Sequence, residues 1–144
     1  MFAPEEGSVT MNIMFFLTTK RNVTYLYNDE GLMNGLRKLR SSGYHAIPMI
    51  SRDGTYMGTI TEGDFLWLMV GLNEVIGGEK TSAMTVGEIP RLSENPAVSC
   101  DCPLSEVVEH AAQHNFVPVI DGRGAFIGIV TRKSIIQHIS DIHK

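Results

Sequence analysis

Thr61 and Asp64 stand three apart in "MGTITEGDF" (57–65), where an apolar strand runs into a helix. Such a pair can do two kinds of work. A Thr hydroxyl at a helix start and an acidic side chain three residues on close a capping box, worth on the order of 1 kcal/mol. The same carboxylate has two acceptor oxygens and can take both hydroxyls of a ribose, while the free N–H groups of a helix start suit a phosphate. A second stretch, "IGIVTRKSI" (127–135), repeats the junction with Thr131, Arg132, Lys133 and Ser134. Ser offers a ribose one hydrogen bond where Asp offers two oxygens. Arg132 and Lys133 favour an anionic group such as a phosphate, or form a solvated basic helix end.

Neither junction is catalytic machinery. No Gly-x-Ser-x-Gly elbow, P-loop or nucleophile–base set is present, so no enzyme is expected. Cys100 and Cys102 lack a second pair at zinc spacing and read as idle thiols. His110 and His114 have helical spacing but no accompanying Glu in His-Glu-x-x-His order, so no metal site is expected. His138 and His143 read as helix-surface residues.

The elements that position these residues are written twice. "YHAIPMISRDGTYMGTITEGDFL" (44–66) aligns without gaps on "HNFVPVIDGRGAFIGIVTRKSII" (114–136) at an offset of 70. Pro48, Ile50, Gly54, Gly58 and Thr61 match Pro118, Ile120, Gly124, Gly128 and Thr131. Upstream, Leu32, Gly35, Leu36 and Leu39 fall on one helical face, and Leu104, Val107, Val108 and Ala111 repeat the pattern. Short strands are expected at 22–27 and 96–100. Gly-containing hairpin turns are expected at "SRDGT" and "DGRGA". Pro48 and Pro118 suggest edge or strand-start positions. The closing helices are "DFLWLMVGL" (64–72) and "SIIQHISDI" (134–142), and Phe65 to Met69 carries more apolar faces than a lone monomer needs. Residues 1–10 read as a flexible lead, 11–72 as repeat 1, 73–90 as a connection with a short helix, and 91–144 as repeat 2. The fold class is α+β with an α/β-like character: two βαββα repeats packed with pseudo-twofold symmetry, with ligand clefts shared between the copies.

The 144 residues suffice for a proper core, and 43% apolar composition excludes a disordered tail. A net charge of −4 speaks against general nucleic-acid binding. Glu5 and Glu6 stand where a signal peptide carries cations, and the apolar run 11–17 is too short to span a bilayer. A cytoplasmic protein without membrane attachment is the expectation.

Each copy resembles a cystathionine-β-synthase (CBS) domain, and the pair resembles a Bateman module. The residues that carry the likeness are "GYHAIPMI…DGTYMGTITEGDF" and "NFVPVI…GRGAFIGIVTRKSI", within about residues 17 to 142. The chain looks most like the small stand-alone CBS-pair proteins of Firmicutes. The resemblance implies a regulatory module that binds an adenine nucleotide (AMP, ADP, ATP or cyclic di-AMP), with no cofactor and no metal. It also implies a homodimer and an output through an unidentified protein partner. It further implies composite sites. Thr61 and Asp64 would face Ala97, Val98, Asn115, Phe116 and Val117. Thr131, Arg132 and Ser134 would face Thr19, Lys20, Val23, Thr24, Tyr44, His45 and Ala46. Tyr44 would stack on the base and Lys20 would meet phosphate. The competing reading is a structural or interaction module with one or both sites vestigial.

Overall fold

A computed structural model describes residues 12–142. The expected lead at 1–10 and His143 lie outside them. Among the described residues seven strands and four helices of eight or more residues follow one another: β1 (Leu17–Thr19), β2 (Leu26–Tyr27), α1 (Leu32–Ser42), β3 (Ala46–Ile50), β4 (Tyr56–Thr61), α2 (Glu62–Leu72), β5 (Val98–Ser99), α3 (Leu104–Ala111), β6 (Phe116–Ile120), β7 (Phe126–Thr131) and α4 (Arg132–Ile142). The α+β class expected from the repeat is therefore present.

The chain forms two compact units that interleave along the sequence. Unit 1 holds the described residues up to Val23 and those from Pro96 onward; unit 2 holds Thr24–Asn95. Unit 2 contains a three-stranded sheet of order β2-β3-β4, and unit 1 a four-stranded sheet of order β1-β7-β6-β5. In each, a helix carries the chain from one strand to its parallel neighbour, β2 to β3 through α1 and β5 to β6 through α3, and a hairpin follows.

The repeat holds down to single partner pairs. Ala46 faces Thr61 and Met49 faces Gly58; in unit 1 Phe116 faces Thr131 and Val119 faces Gly128. A register shift falls at Met49/Ile50 and again at Val119/Ile120. Both hairpins turn on a glycine of positive φ, Gly54 at +94° and Gly124 at +84°, as the "SRDGT" and "DGRGA" patterns require. In the second turn Asp121 accepts the N–H groups of Arg123 and Ala125, and these bonds hold its carboxyl below the ordinary range.

Each unit has its own core. In unit 2, Leu26, Leu32, Leu39, Ile47, Ile60 and Phe65 are buried, together with Ile76, Val86 and Ile89 from the connection. The connection is thus part of that unit's interior. It contains two short 3-10 turns, Thr81–Ala83 and Val86–Glu88, where a short helix was expected. In unit 1, Ile13 and Phe16 pack with Val98, Val107, Val117 and Ile135.

Four expectations are corrected. Only Leu26 and Tyr27 of the stretch 22–27 pair as a strand; residues 20–22 form a 3-10 turn instead. Pro48 and Pro118 lie in inner strands, not at edges. They are tolerated because β2 and β5 pair only with the residues after each proline, Met49–Ile50 and Val119–Ile120, so the strand is still unpaired on that side at the proline. Val108 is 44% exposed, since α3 buries only Val107 and Ala111. His138 is half-buried, not fully on the helix surface: its ring packs edge-on against Phe15 and Phe16 at 5.2 and 5.1 Å, and its Nε2 is buried.

Candidate functional site

The first junction lies in unit 2, where β4 ends and α2 begins. Thr61 is extended and its hydroxyl accepts the Asp64 N–H at 3.1 Å. Asp64 Oδ2 accepts the Thr61 N–H at 2.9 Å, which closes the capping box read from the sequence. The carboxylate does a second job that no sequence pattern announced. Its Oδ1 accepts the N–H of Leu92 at 2.9 Å. Asp64 is 2% exposed, so both oxygens of a buried anion are met by backbone donors, the condition under which burial of a charge is tolerated. Beside it, Glu62 Oε1 meets His45 Nδ1 at 2.7 Å, and the Glu62 N–H donates to the His45 carbonyl. Both side chains of that pair are largely exposed, so it adds little stability.

Leu92 belongs to a segment, residues 91–95, held against β4 at two further points. Arg91 Nη1 donates to the Met57 carbonyl at 3.0 Å. The Tyr56 hydroxyl donates to the Asn95 carbonyl at 2.6 Å; its single proton is thereby committed, so Thr59 Oγ1, at 2.7 Å, donates to it. Burial pushes the Tyr56 hydroxyl up to about 12, against the opposing pull of Thr59 and Arg91. The raised value fixes a pH dependence. Tyr56 adds stability in full below its unfolded value near 10, and that stability is lost as pH rises through about 12, to a maximum of about 2–3 kcal/mol. Denaturant unfolding between pH 9 and 12 should show this decline, and Tyr56→Phe should flatten it. An equal decline in the variant would refute the assignment.

The second junction, in unit 1, has the same backbone and different chemistry. Thr131 Oγ1 accepts the Ser134 N–H at 3.0 Å, so half of the box survives. The Ser134 hydroxyl turns back to the Thr131 carbonyl at 2.8 Å. The Arg132 N–H donates to the Asn115 carbonyl, matching Glu62 and His45, while its Nε donates to the Ala111 carbonyl at the end of α3. Lys133 is exposed. Equivalent positions therefore carry an anion, Glu62, in unit 2 and a cation, Arg132, in unit 1.

Of the residues expected at a site, unit 2 holds Thr24, Tyr44, His45, Ala46, Thr61 and Asp64. Ala46 faces Thr61 across the β3–β4 ladder, and Tyr44 and His45 lead into that strand with exposed side chains. Unit 1 holds Ala97, Val98, Asn115, Phe116, Val117, Thr131, Arg132 and Ser134, along with Thr19, Lys20 and Val23. There Phe116 faces Thr131, and Thr19 at the end of β1 faces Gly128 of β7, with Lys20 opening the turn that follows. Val98, Phe116 and Val117 are buried, Val98 and Val117 within the unit 1 core. Glu62, Arg91, Leu92 and Tyr56 are the participants that sequence reasoning missed. Only Glu62, inside the Thr-x-x-Asp motif, had a signal that could have found it.

The His110 and His114 rings lie 4.9 Å apart, and burial first, then the neighbouring His114, hold His110 below its ordinary value. No group of three or more potential metal ligands occurs among the described residues. Cys100 and Cys102 are free, half-buried thiols packed against the unit 1 core. Among the described residues no helix is long and apolar enough to cross a membrane.

Known proteins resemble this chain. An uncharacterised protein of Methanocaldococcus jannaschii is 22% identical, across 90% of this chain and 94% of its own. The CbpB protein of Listeria monocytogenes, solved in complex with cyclic di-AMP, superposes with a TM-score of 0.80 at 21% identity, covering 92% of this chain and 98% of that one. A hypothetical conserved protein of Geobacillus kaustophilus gives 0.81 at 26% identity, covering 91% and 97%. CBSX2, solved in complex with AMP, gives 0.74 at 22% identity, covering 94% and 100%. The family model of the CBS domain matches residues 17–71 and again 86–141, and the chain accordingly belongs to the CBS-domain family, as a tandem pair.

Proposed function

We propose that the protein is a regulatory module that binds an adenine nucleotide, AMP, ADP, ATP or cyclic di-AMP, and catalyses nothing. The observation that carries this reading is the duplicated junction. Two helix starts of identical register, each beside the first residues of an x-x-Pro strand, present opposite charge at the equivalent positions Glu62 and Arg132. One junction carries acceptors that suit hydroxyls and the other a cation that suits an anion, the two kinds of group a nucleotide bears. Complexes of CbpB with cyclic di-AMP and of CBSX2 with AMP support the ligand class. The residues proposed to bind are those named from the sequence, with Thr61 and Asp64 assigned to ribose and Lys20, Thr131 and Arg132 to phosphate. A homodimer and an output through a protein partner belong to the same proposal. The exposed apolar side chains Leu66, Trp67 and Val70 on α2, and Ile136, Ile139 and Ile142 on α4, support it, and a cytoplasmic setting belongs to the same proposal.

Calorimetry with AMP, ADP, ATP and cyclic di-AMP tests the proposal. At least one should bind with a dissociation constant well below about 1 mM, and Arg132→Ala should weaken it about tenfold while reducing its salt dependence. Light scattering on the same samples should give twice the monomer mass. If none of the four nucleotides binds, the sensor reading falls. A second reading, an interaction module with vestigial sites, then takes its place. The occupied oxygens of Asp64 and the inward turn of the Ser134 hydroxyl favour that alternative.

A further inference from the structure

The bond between Asp64 and Leu92 ties two things that the nucleotide reading treats as separate: the proposed ribose-binding carboxylate and the segment through which the chain leaves unit 2. Segment 91–95 is fixed at three points, Arg91 on the Met57 carbonyl, Leu92 on Asp64 and Asn95 on Tyr56. The outer two depend on the side chains of Arg91 and Tyr56. The middle one depends on the carboxylate alone.

The two bonds that Asp64 accepts are not equally replaceable. The Thr61 N–H lies at a strand end inside the capping box, and losing it would open the helix start. The Leu92 N–H lies in an exposed stretch: Leu92 is 60% exposed, and Ser93 and Glu94 are exposed as well. Once released, that N–H passes to water and is not left buried without a partner. An incoming hydroxyl that needs Oδ1 therefore displaces Leu92 and leaves the box intact. The second junction has no equivalent, since the Ser134 hydroxyl turns to its own Thr131 carbonyl.

We infer that the Asp64 carboxylate couples occupancy of the nucleotide site to the hold on segment 91–95: a ligand hydroxyl at Oδ1 exchanges for the Leu92 N–H and loosens the segment at its middle. The inference rests on the nucleotide reading above and adds to it the element that responds.

Amide hydrogen exchange, measured on the whole chain with and without saturating AMP and cyclic di-AMP, tests it, with calorimetry on the same samples. Without nucleotide the Leu92 amide should be protected. Asp64→Asn keeps one acceptor oxygen where two are needed, so Leu92 exchange should rise about tenfold while the amides of Val86 and Gly87, which donate to the Glu30 and Asn28 carbonyls, stay as they are. In the wild-type chain, which carries the test even if the variant fails to fold, the bound nucleotide should raise Leu92 exchange by a similar factor. A nucleotide that binds and leaves Leu92 protection unchanged or greater overturns the coupling but not the sensor. Absence of binding by all four nucleotides, AMP, ADP, ATP and cyclic di-AMP, overturns both.

Discussion

Asp64→Ala should lower the stability of unit 2 by about 2–3 kcal/mol, and Ser134→Ala at the equivalent position of unit 1 by less than about 1 kcal/mol. The difference follows from what each side chain holds. Removing Asp64 takes the acceptor from the Thr61 N–H, a loss of the order of a helix cap, and from the Leu92 N–H as well. Removing the Ser134 hydroxyl frees only the Thr131 carbonyl; the Thr131 hydroxyl still accepts the residue 134 N–H. At about 2–4 °C per kcal/mol for a chain of this size, the first variant should melt about 4–12 °C lower and the second within about 4 °C of the parent. Differential scanning calorimetry of the two variants decides the matter. Equal losses would mean that the Leu92 tether contributes nothing.

How much of this was legible in the sequence depended on whether a feature repeats. The offset between Pro48 and Pro118 fixed the partner pairs of both hairpins, because two copies of one pattern must fold alike, and the buried positions Ile47, Ile60, Val117 and Val130 follow from it. Thr61 and Asp64 were legible as a cap because a capping box is a local, side-chain pattern. What stayed hidden was nonlocal or carried by backbone. The residues of β1, Leu-Thr-Thr, are too few to show alternation, and nothing in them states that they pair with β7 and not with a neighbour in sequence. The burial of Ile76, Val86 and Ile89 was masked by weak periodicity in the connection. The bond from Leu92 to Asp64 is made by a peptide N–H, which every residue but proline possesses, so no residue type could signal it. His138 was read outward because its partners, Phe15 and Phe16, come from the far end of the chain.

Gly128→Ala should be the more damaging of two substitutions that look identical in the repeat, costing about 3 kcal/mol or more against about 1–2 kcal/mol for Gly58→Ala. Both glycines have positive φ, +153° and +144°, so an alanine is strained at either position. The neighbours differ. A Cβ at residue 128 would stand 2.2 Å from the Thr18 carbonyl oxygen, a backbone atom of β1, in the ladder that pairs Leu17 with Val130 and Thr19 with Gly128. Backbone inside a ladder cannot step aside alone, so relief requires β1 to leave β7, with loss of its hydrogen bonds and of the packing of Leu17 on the unit 1 core. A Cβ at residue 58 would stand 2.5 Å from the guanidinium of Arg91, the far end of a flexible side chain. Arg91 can swing out to water at the cost of its bond to the Met57 carbonyl. Denaturant unfolding of the two variants, with amide exchange at Leu17 and Thr19, separates the cases. Gly128→Ala should lose stability and β1 protection together, whereas Gly58→Ala should lose less and leave β1 protected. A Gly128→Ala protein with β1 amides as protected as in the parent would show that the strand edge yields without detaching, and the close approach would then not explain the glycine.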